Sequence, residues 1–169
     1  MDLQLTHRGD YALRAALALA RAAGSGQYVK LRDVSEQMAI PLRYTQEILA
    51  LLMRAGLAEA RAGKHGGYRL TRAPGDISVL EVVEAAEGPL RSDRCTLRGG
   101  PCHWQDTVCA VHATWVSARE ALAAILTKQT LQAVVEADDR LQASLPKATR
   151  KGPARERPDM PASPIQTSQ

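Results

Sequence analysis

The sequence predicts a mainly α-helical protein with one small β-hairpin, and three observations carry that expectation. Its 169 residues include no phenylalanine, two Trp and four Tyr, so the core must be built mainly from Leu, Val, Ile and Ala, which suits closely packed helices. Apolar side chains recur at three- and four-residue steps in several separate segments. Between residues 57 and 71 that period gives way to two short runs around a glycine-rich turn.

Taken in order, residues 6–23 are alanine-rich, with Tyr11, Leu13, Leu17 and Ala20 at helical spacing until Gly24-Ser-Gly26 stops the run. Leu31, Val34 and Met38 mark a short second helix. Ala39-Ile40-Pro41 breaks it, because proline disfavours helical geometry in the residue before it and suits a helix start. A third helix over 41–54 carries the apolar stripe Ile48, Leu49, Leu52 and Met53, and Gly56 ends it. Two helices joined by a tight turn predict a helix-turn-helix.

Residues 57–62 then read as a strand, Gly63-Lys-His-Gly-Gly67 as a turn and 68–71 as the return strand, with Arg61, Lys64, His65, Arg69 and Arg72 along the hairpin. A basic ribbon directly after a helix-turn-helix is how a winged helix presents its wing to DNA. The plainer alternative is a surface hairpin whose cations keep its edges soluble. Ser78-Val-Leu-Glu81 is a capping box that opens a helix over 79–87, ended by Gly88-Pro89. From Cys109 onward Val111, Trp115, Ala118, Leu122, Ile125 and Leu126 form the seam of a long amphipathic helix, which predicts a homodimer packed on that seam. A shorter helix over 130–143 follows.

The domain organisation expected is therefore a winged helix-turn-helix over 1–88, a cysteine-rich loop over 89–112, a dimerisation helix with a short C-terminal helix over 110–145, and a basic, proline-rich tail over 146–169 that is too polar to fold. Charge follows the same division. Residues 1–75 carry a net +5, residues 76–145 a net −4 and the tail a net +3, and a basic first half is the footprint of a phosphate-binding surface. No apolar run reaches the length of a membrane span and the first residues read as neither signal nor transit peptide, so a cytoplasmic protein is expected.

Cys95-x6-Cys102-x6-Cys109-x2-His112 holds every cysteine in the chain. It lies among glycine, proline and charges rather than on an apolar face, and three thiols are an odd count for disulfides, so a bound metal is the favoured reading. Incidental reduced thiols and a thiol redox switch are the alternatives, and neither accounts for His112. A closed Cys3His zinc site is chemically sound, although zinc ligands usually pair at shorter spacing. A small iron-sulfur or thiol redox protein is a further alternative. An enzyme is not expected, since no nucleotide-binding glycine motif, paired catalytic carboxylates or serine-histidine set accompanies the cysteines.

In combination, Asp10-Tyr-Ala-Leu-Arg14, Ile40-Pro-Leu-Arg-Tyr44, Arg54-Ala-Gly-Leu57, Gly63-Lys-His-Gly-Gly-Tyr68 and Ile77-Ser-Val, followed by the three-cysteine loop, resemble the IscR/NsrR family of bacterial winged-helix regulators that bind an iron-sulfur cluster. The resemblance covers roughly residues 1–140. Cys109-Ala-Val-His-Ala-Thr-Trp115 is most similar to the IscR branch, which implies a 2Fe-2S cluster on Cys95, Cys102, Cys109 and His112. Asp10 matches a position where NsrR-type members supply a carboxylate from the partner subunit to a 4Fe-4S cluster. His112 is favoured as fourth ligand because it sits beside Cys109 and needs no second chain; Asp10 otherwise suits the first turn of a helix. The resemblance further implies a transcriptional regulator, leaning toward a repressor, that reports on redox state, nitric oxide or cluster supply.

On the helix-turn-helix reading, Arg43, Tyr44 and Gln46 at the start of the third helix approach base edges and phosphates in the major groove. Glutamine pairs in two places with adenine and arginine with guanine, so Gln46 is a source of specificity where the family often has glutamate. Arg61, Lys64 and His65 on the wing would contact phosphate or the minor groove. A homodimer would bind a roughly palindromic operator in double-stranded DNA.

Overall fold

The computed structural model describes residues 5–90 and 110–144. Cys95, Cys102, Cys109 and the tail from 146 lie outside the described residues.

Helix α1 spans His7–Ala22. Thr6 is its cap rather than its first residue, with the hydroxyl accepting from the Gly9 amide at 3.4 Å. Ala12, Ala15, Ala16, Ala18 and Leu19 are almost fully buried, and these mostly small side chains let one helix pack closely against several others.

Helix α2 (Leu31–Met38) and helix α3 (Leu42–Arg54) form the expected helix-turn-helix. Two helix ends are closed in the same way. The Ile40 amide donates to Ser35 O at 3.0 Å after α2, and the Leu57 amide donates to Leu52 O at 2.9 Å after α3, each around a left-handed residue. After α3 that residue is Gly56 (φ +71), as the sequence implies; after α2 it is Ala39 (φ +51), so the sharp turn is made without glycine. Pro41 is the cap of α3 rather than its first residue. Met53, placed on the apolar stripe by its spacing, is 40% exposed. At about 100° per residue it lies well round the helix from Ile48 and Leu52, whose face is completed instead by Thr45, Leu49 and Leu51.

Strands β1 (Ala58–Arg61) and β2 (Gly67–Leu70) pair antiparallel, with Ala58 opposite Leu70 and Arg61 opposite Gly67. β1 is shorter than the expected 57–62 and β2 is displaced by one residue from the expected 68–71, and the hairpin gains a neighbour that the sequence does not announce. Val29 and Tyr68 exchange two backbone hydrogen bonds of 2.8 Å, which ties the turn-side half of β2 to the segment before α2.

Helix α4 (Val79–Glu87) begins with the predicted capping box, Ser78 accepting from the Glu81 amide while the Glu81 carboxylate accepts from Ser78 N at 2.8 Å. Helix α5 runs over Ala110–Lys128 and helix α6 over Leu131–Ser144. Their junction is pinned to the start of α4: Val79 N donates to Gln129 O at 2.8 Å and Leu131 N to Ile77 O at 2.9 Å. Leu131 and Ile77 are completely buried together with Leu19, Leu49, Leu52, Val34 and Val82. Burial of each such side chain contributes about 1.5–3 kcal/mol. The core therefore joins the helix-turn-helix, α4 and the first turn of α6, and Arg21 of α1 bridges to Asp138 and Asp139 further along α6.

By contrast, α5 is largely solvated. Among its residues from Val111 onward only Ala123 is buried, while Val111 is 45% and Ile125 65% exposed. Of the apolar seam predicted along this helix, Val111, Ala118 and Ile125 are exposed and Trp115, Leu122 and Leu126 half-buried in the single chain.

Candidate functional site

The start of α3 is set by what its other face buries. Thr45 is fully buried with its hydroxyl 3.3 Å from Ile40 O and 3.2 Å from Pro41 O, so it locks the first turn of α3 onto the turn that precedes it. Ile48, Leu49, Leu51 and Leu52 continue that face into the core. The opposite face leaves Arg43, Tyr44 and Gln46 to solvent. The Arg43 side chain is 89% exposed and its Nε lies 3.8 Å from Glu47 Oε1, an ion pair worth little in water and readily exchanged for another anion.

Tyr44 does not stand alone. Its ring centroid is 6.0 Å from that of Tyr11, which in turn is 6.0 Å from His7, so the first turns of α1 and α3 lie side by side. One turn along α1, Asp10 holds Arg14 through two contacts, Nε to Oδ1 at 3.0 Å and a second nitrogen to Oδ2 at 2.8 Å. Arg14 then donates to Met38 O at 3.4 Å at the end of α2. Asp10 therefore has a place within its own chain, orienting an arginine that buttresses the helix-turn-helix.

The hairpin sorts its cations into two groups. Arg69 pairs with Glu59 at 2.6 Å and lies 4.7 Å from the Tyr28 ring centroid, while the Tyr28 hydroxyl donates to the same carboxylate at 3.0 Å. The hydrogen bond from Arg69, then that from Tyr28, hold the Glu59 carboxyl below its ordinary range. Arg72 is committed to Asp76 O at 2.9 Å and to Glu81 at 2.6 Å. Arg61, Lys64 and His65 remain exposed, with the Arg61 guanidinium 6.0 Å from the Tyr28 ring. Five basic residues are plain in the sequence, but not that acids of the same domain tie down Arg69 and Arg72.

Glu81 is both cap and ion-pair partner. Burial would raise its carboxyl, but the hydrogen bonds from Arg72 and from Ser78, with the charge of Arg72, outweigh burial and lower it. A carboxylate held low in the folded state stabilises the fold above its unfolded value and loses that contribution as pH falls through the folded one. Thermal melts should therefore show wild type losing stability below pH 4.5, the ordinary glutamate value, more steeply than Glu81→Gln. Parallel curves would exclude Glu81 as an acid-sensitive element.

His112 lies exposed in the first turn of α5, immediately after the cysteine segment. Cys95, Cys102 and Cys109 lie outside the described residues. The fit of a metal group rests on donor chemistry: three thiolates with one imidazole match iron in softness and suit a 2Fe-2S cluster, and they also form a closed set for zinc.

Two connections had no signal in the sequence. Val29 joins the hairpin through a single bridge, too short to leave a strand pattern. Glu87, the last residue of α4, accepts from Thr6 N at 3.1 Å and from the Thr6 hydroxyl at 2.6 Å, so the end of α4 grips the cap of α1 just before the cysteine segment begins.

With this geometry in view, comparison with known proteins is specific. The family profile described as "Rrf2: Iron-dependent Transcriptional regulator" matches residues 5–137. The transcriptional regulator IscR of Klebsiella pneumoniae is 34% identical over 142 residues, covering 84% of this chain and 85% of its own. IscR of Citrobacter koseri is 33% identical over 151 residues, covering 89% and 91%. Among solved structures, CymR, the global cysteine regulator of B. subtilis, superposes with a TM-score of 0.68 at 23% identity over 80% of this chain and 98% of its own. T. potens IscR gives 0.66 at 24% identity over 87% and 95%. These structures share the winged-helix architecture found here.

Proposed function

The chain belongs to the Rrf2 family of transcriptional regulators, and from that membership we propose that it is a DNA-binding repressor whose affinity is controlled by an iron-sulfur cluster. The observation that carries the DNA-binding part is the division of α3 into a face buried from Thr45 to Leu52 and an exposed start bearing Arg43, Tyr44 and Gln46. On this reading α3 enters the major groove, Arg43 pairs with guanine, Gln46 with adenine, and Tyr44 contacts phosphate. Arg61, Lys64 and His65 meet phosphates or the minor groove beside it and fix register more than sequence. The exposed apolar residues of α5 support a homodimer, which would present two recognition helices to a roughly palindromic operator. The protein would work in the cytoplasm, where thiols stay reduced.

Cys95, Cys102, Cys109 and His112 would hold the cluster, favoured as 2Fe-2S. When bound it supplies a redox-active, oxidant- and nitric-oxide-sensitive group. The chain contributes the ligands, the imidazole at the start of α5, and the contacts that join α4 and α5 to the DNA-binding core. The engagement of Asp10 with Arg14 favours His112 over Asp10 as fourth ligand.

Protein purified without oxygen should be brown, with acid-labile sulfide and about two iron atoms per chain. His112→Ala should lose or shift the visible absorbance and Asp10→Ala should keep it. About four irons with the opposite response would assign the 4Fe-4S alternative with Asp10 of the second chain. Colourless protein with one zinc per chain would sink the sensing part and leave a DNA-binding regulator with a structural metal or a thiol switch.

A further inference from the structure

We propose that Lys30 is a positioning residue for DNA binding, holding the wing tip in the pose from which Lys64 and His65 reach the duplex. The inference rests on the reading of the hairpin as a DNA-contacting wing. Lys30 stands at the start of α2, where it forms no side-chain cap to its own helix. Its ammonium instead crosses to the hairpin turn, donating to Gly63 O at 3.2 Å and to Lys64 O at 2.8 Å.

The turn is otherwise closed by one backbone bond, Gly66 N to Gly63 O at 3.0 Å. Two four-residue strands are marginal on their own. The two-residue segment Val29-Lys30 therefore grips the hairpin twice, by the Val29–Tyr68 backbone pair along β2 and by the Lys30 ammonium at the tip. A tip ordered before contact avoids the entropy cost of ordering it on the DNA. Because two of the three ammonium donors are directed at carbonyls, Lys30 acts through the turn that carries Lys64 rather than as a phosphate contact in its own right.

The test measures affinity for a duplex selected from random sequence with the full-length, anaerobically purified wild-type protein, as a function of salt. Lys30→Met should weaken binding about 3- to 10-fold, the range expected for ordering one or two side chains on contact. Its melting temperature should be close to wild type, and Lys30→Arg, which can still donate to both carbonyls, should restore most of the affinity. In a Lys64→Met/His65→Ala background, Lys30→Met should cost less than about twofold more and leave the salt slope unchanged, because the contacts it positions have gone. Additive losses, with the slope falling by about 0.9 in that background, would make Lys30 an independent phosphate contact and overturn the proposal. Unaltered affinity in Lys30→Met overturns it as well. Should Lys64→Met and His65→Ala both bind as wild type while Arg43→Ala does not, the wing reading itself fails, and the proposal falls with its premise.

Discussion

Leu131→Ala is expected to lower the stability of the folded chain by about 3 kcal/mol and its melting temperature by about 10 °C, although residue 131 lies outside the segment that forms the helix-turn-helix and wing. The side chain is completely buried against a core that includes Ile77, and its own amide donates to Ile77 O. Removing three carbons there loses their transfer free energy and leaves a cavity bounded by backbone that the Val79–Gln129 and Leu131–Ile77 hydrogen bonds hold in place. Leu141→Ala, at a side chain 64% exposed on the same helix, is the matched control and should change stability by less than about 0.5 kcal/mol. Denaturant unfolding of the two variants decides the matter. Equal, small effects would mean that α6 is an appendage and that the core ends with α4.

The consequence reaches function. The α5–α6 junction is fastened to the start of α4, and the end of α4 is fastened through Glu87 to the cap of α1. The cysteine segment therefore leaves from and returns to elements that are both tied to the helix-turn-helix. The end of α4, where that segment begins, thus touches α1, whose Tyr11 and Arg14 contact Tyr44 and the end of α2.

Much of this was legible in the residues because the signals are local. The capping box at Ser78–Glu81, the Gly56 stop and the glycine-rich hairpin turn each depend on a few adjacent side chains, and each is found where the sequence puts it. What was not legible depends on partners far along the chain. The period of residues 130–143 announces a helix but not that Leu131 completes the core; the cationic hairpin announces a basic surface but not that Glu59 and Glu81 occupy Arg69 and Arg72. Ile125 shows the same limit from the other side. Its spacing marks an apolar seam, yet periodicity cannot say whether a seam is covered by the same chain or by another, and in the single chain Ile125 itself is exposed. That Arg43, Tyr44 and Gln46 share an exposed start of α3 was legible because the period of the helix separates its apolar face from its polar one without any tertiary partner.

The second large effect is expected at Gly67, where β2 leaves the turn and passes against Val29. Its φ of +149° is a backbone conformation that side-chain-bearing residues rarely adopt, and a Cβ built there would lie 2.4 Å from Val29 O and 2.8 Å from Val29 C. Those are backbone atoms and cannot swing aside as a flexible side chain would. Relief requires the hairpin to move off residue 29, which breaks the Val29–Tyr68 pair of hydrogen bonds and carries the turn away from Lys30. Strained backbone and two lost bonds in a half-buried place together cost about 3 kcal/mol. Gly67→Ala should accordingly melt well below wild type, and the amide hydrogens of Val29 and Tyr68 should exchange much faster. Gly75→Ala, where a Cβ meets nothing within 4 Å, should be indistinguishable from wild type by both measures. Because the substitution leaves the start of α3 untouched, the DNA-binding defect of Gly67→Ala should resemble loss of the wing: weaker binding to all duplexes and a reduced salt slope, with the preferred base sequence retained. A changed sequence preference would instead show that the contact of β2 with Val29 sets the pose of α3.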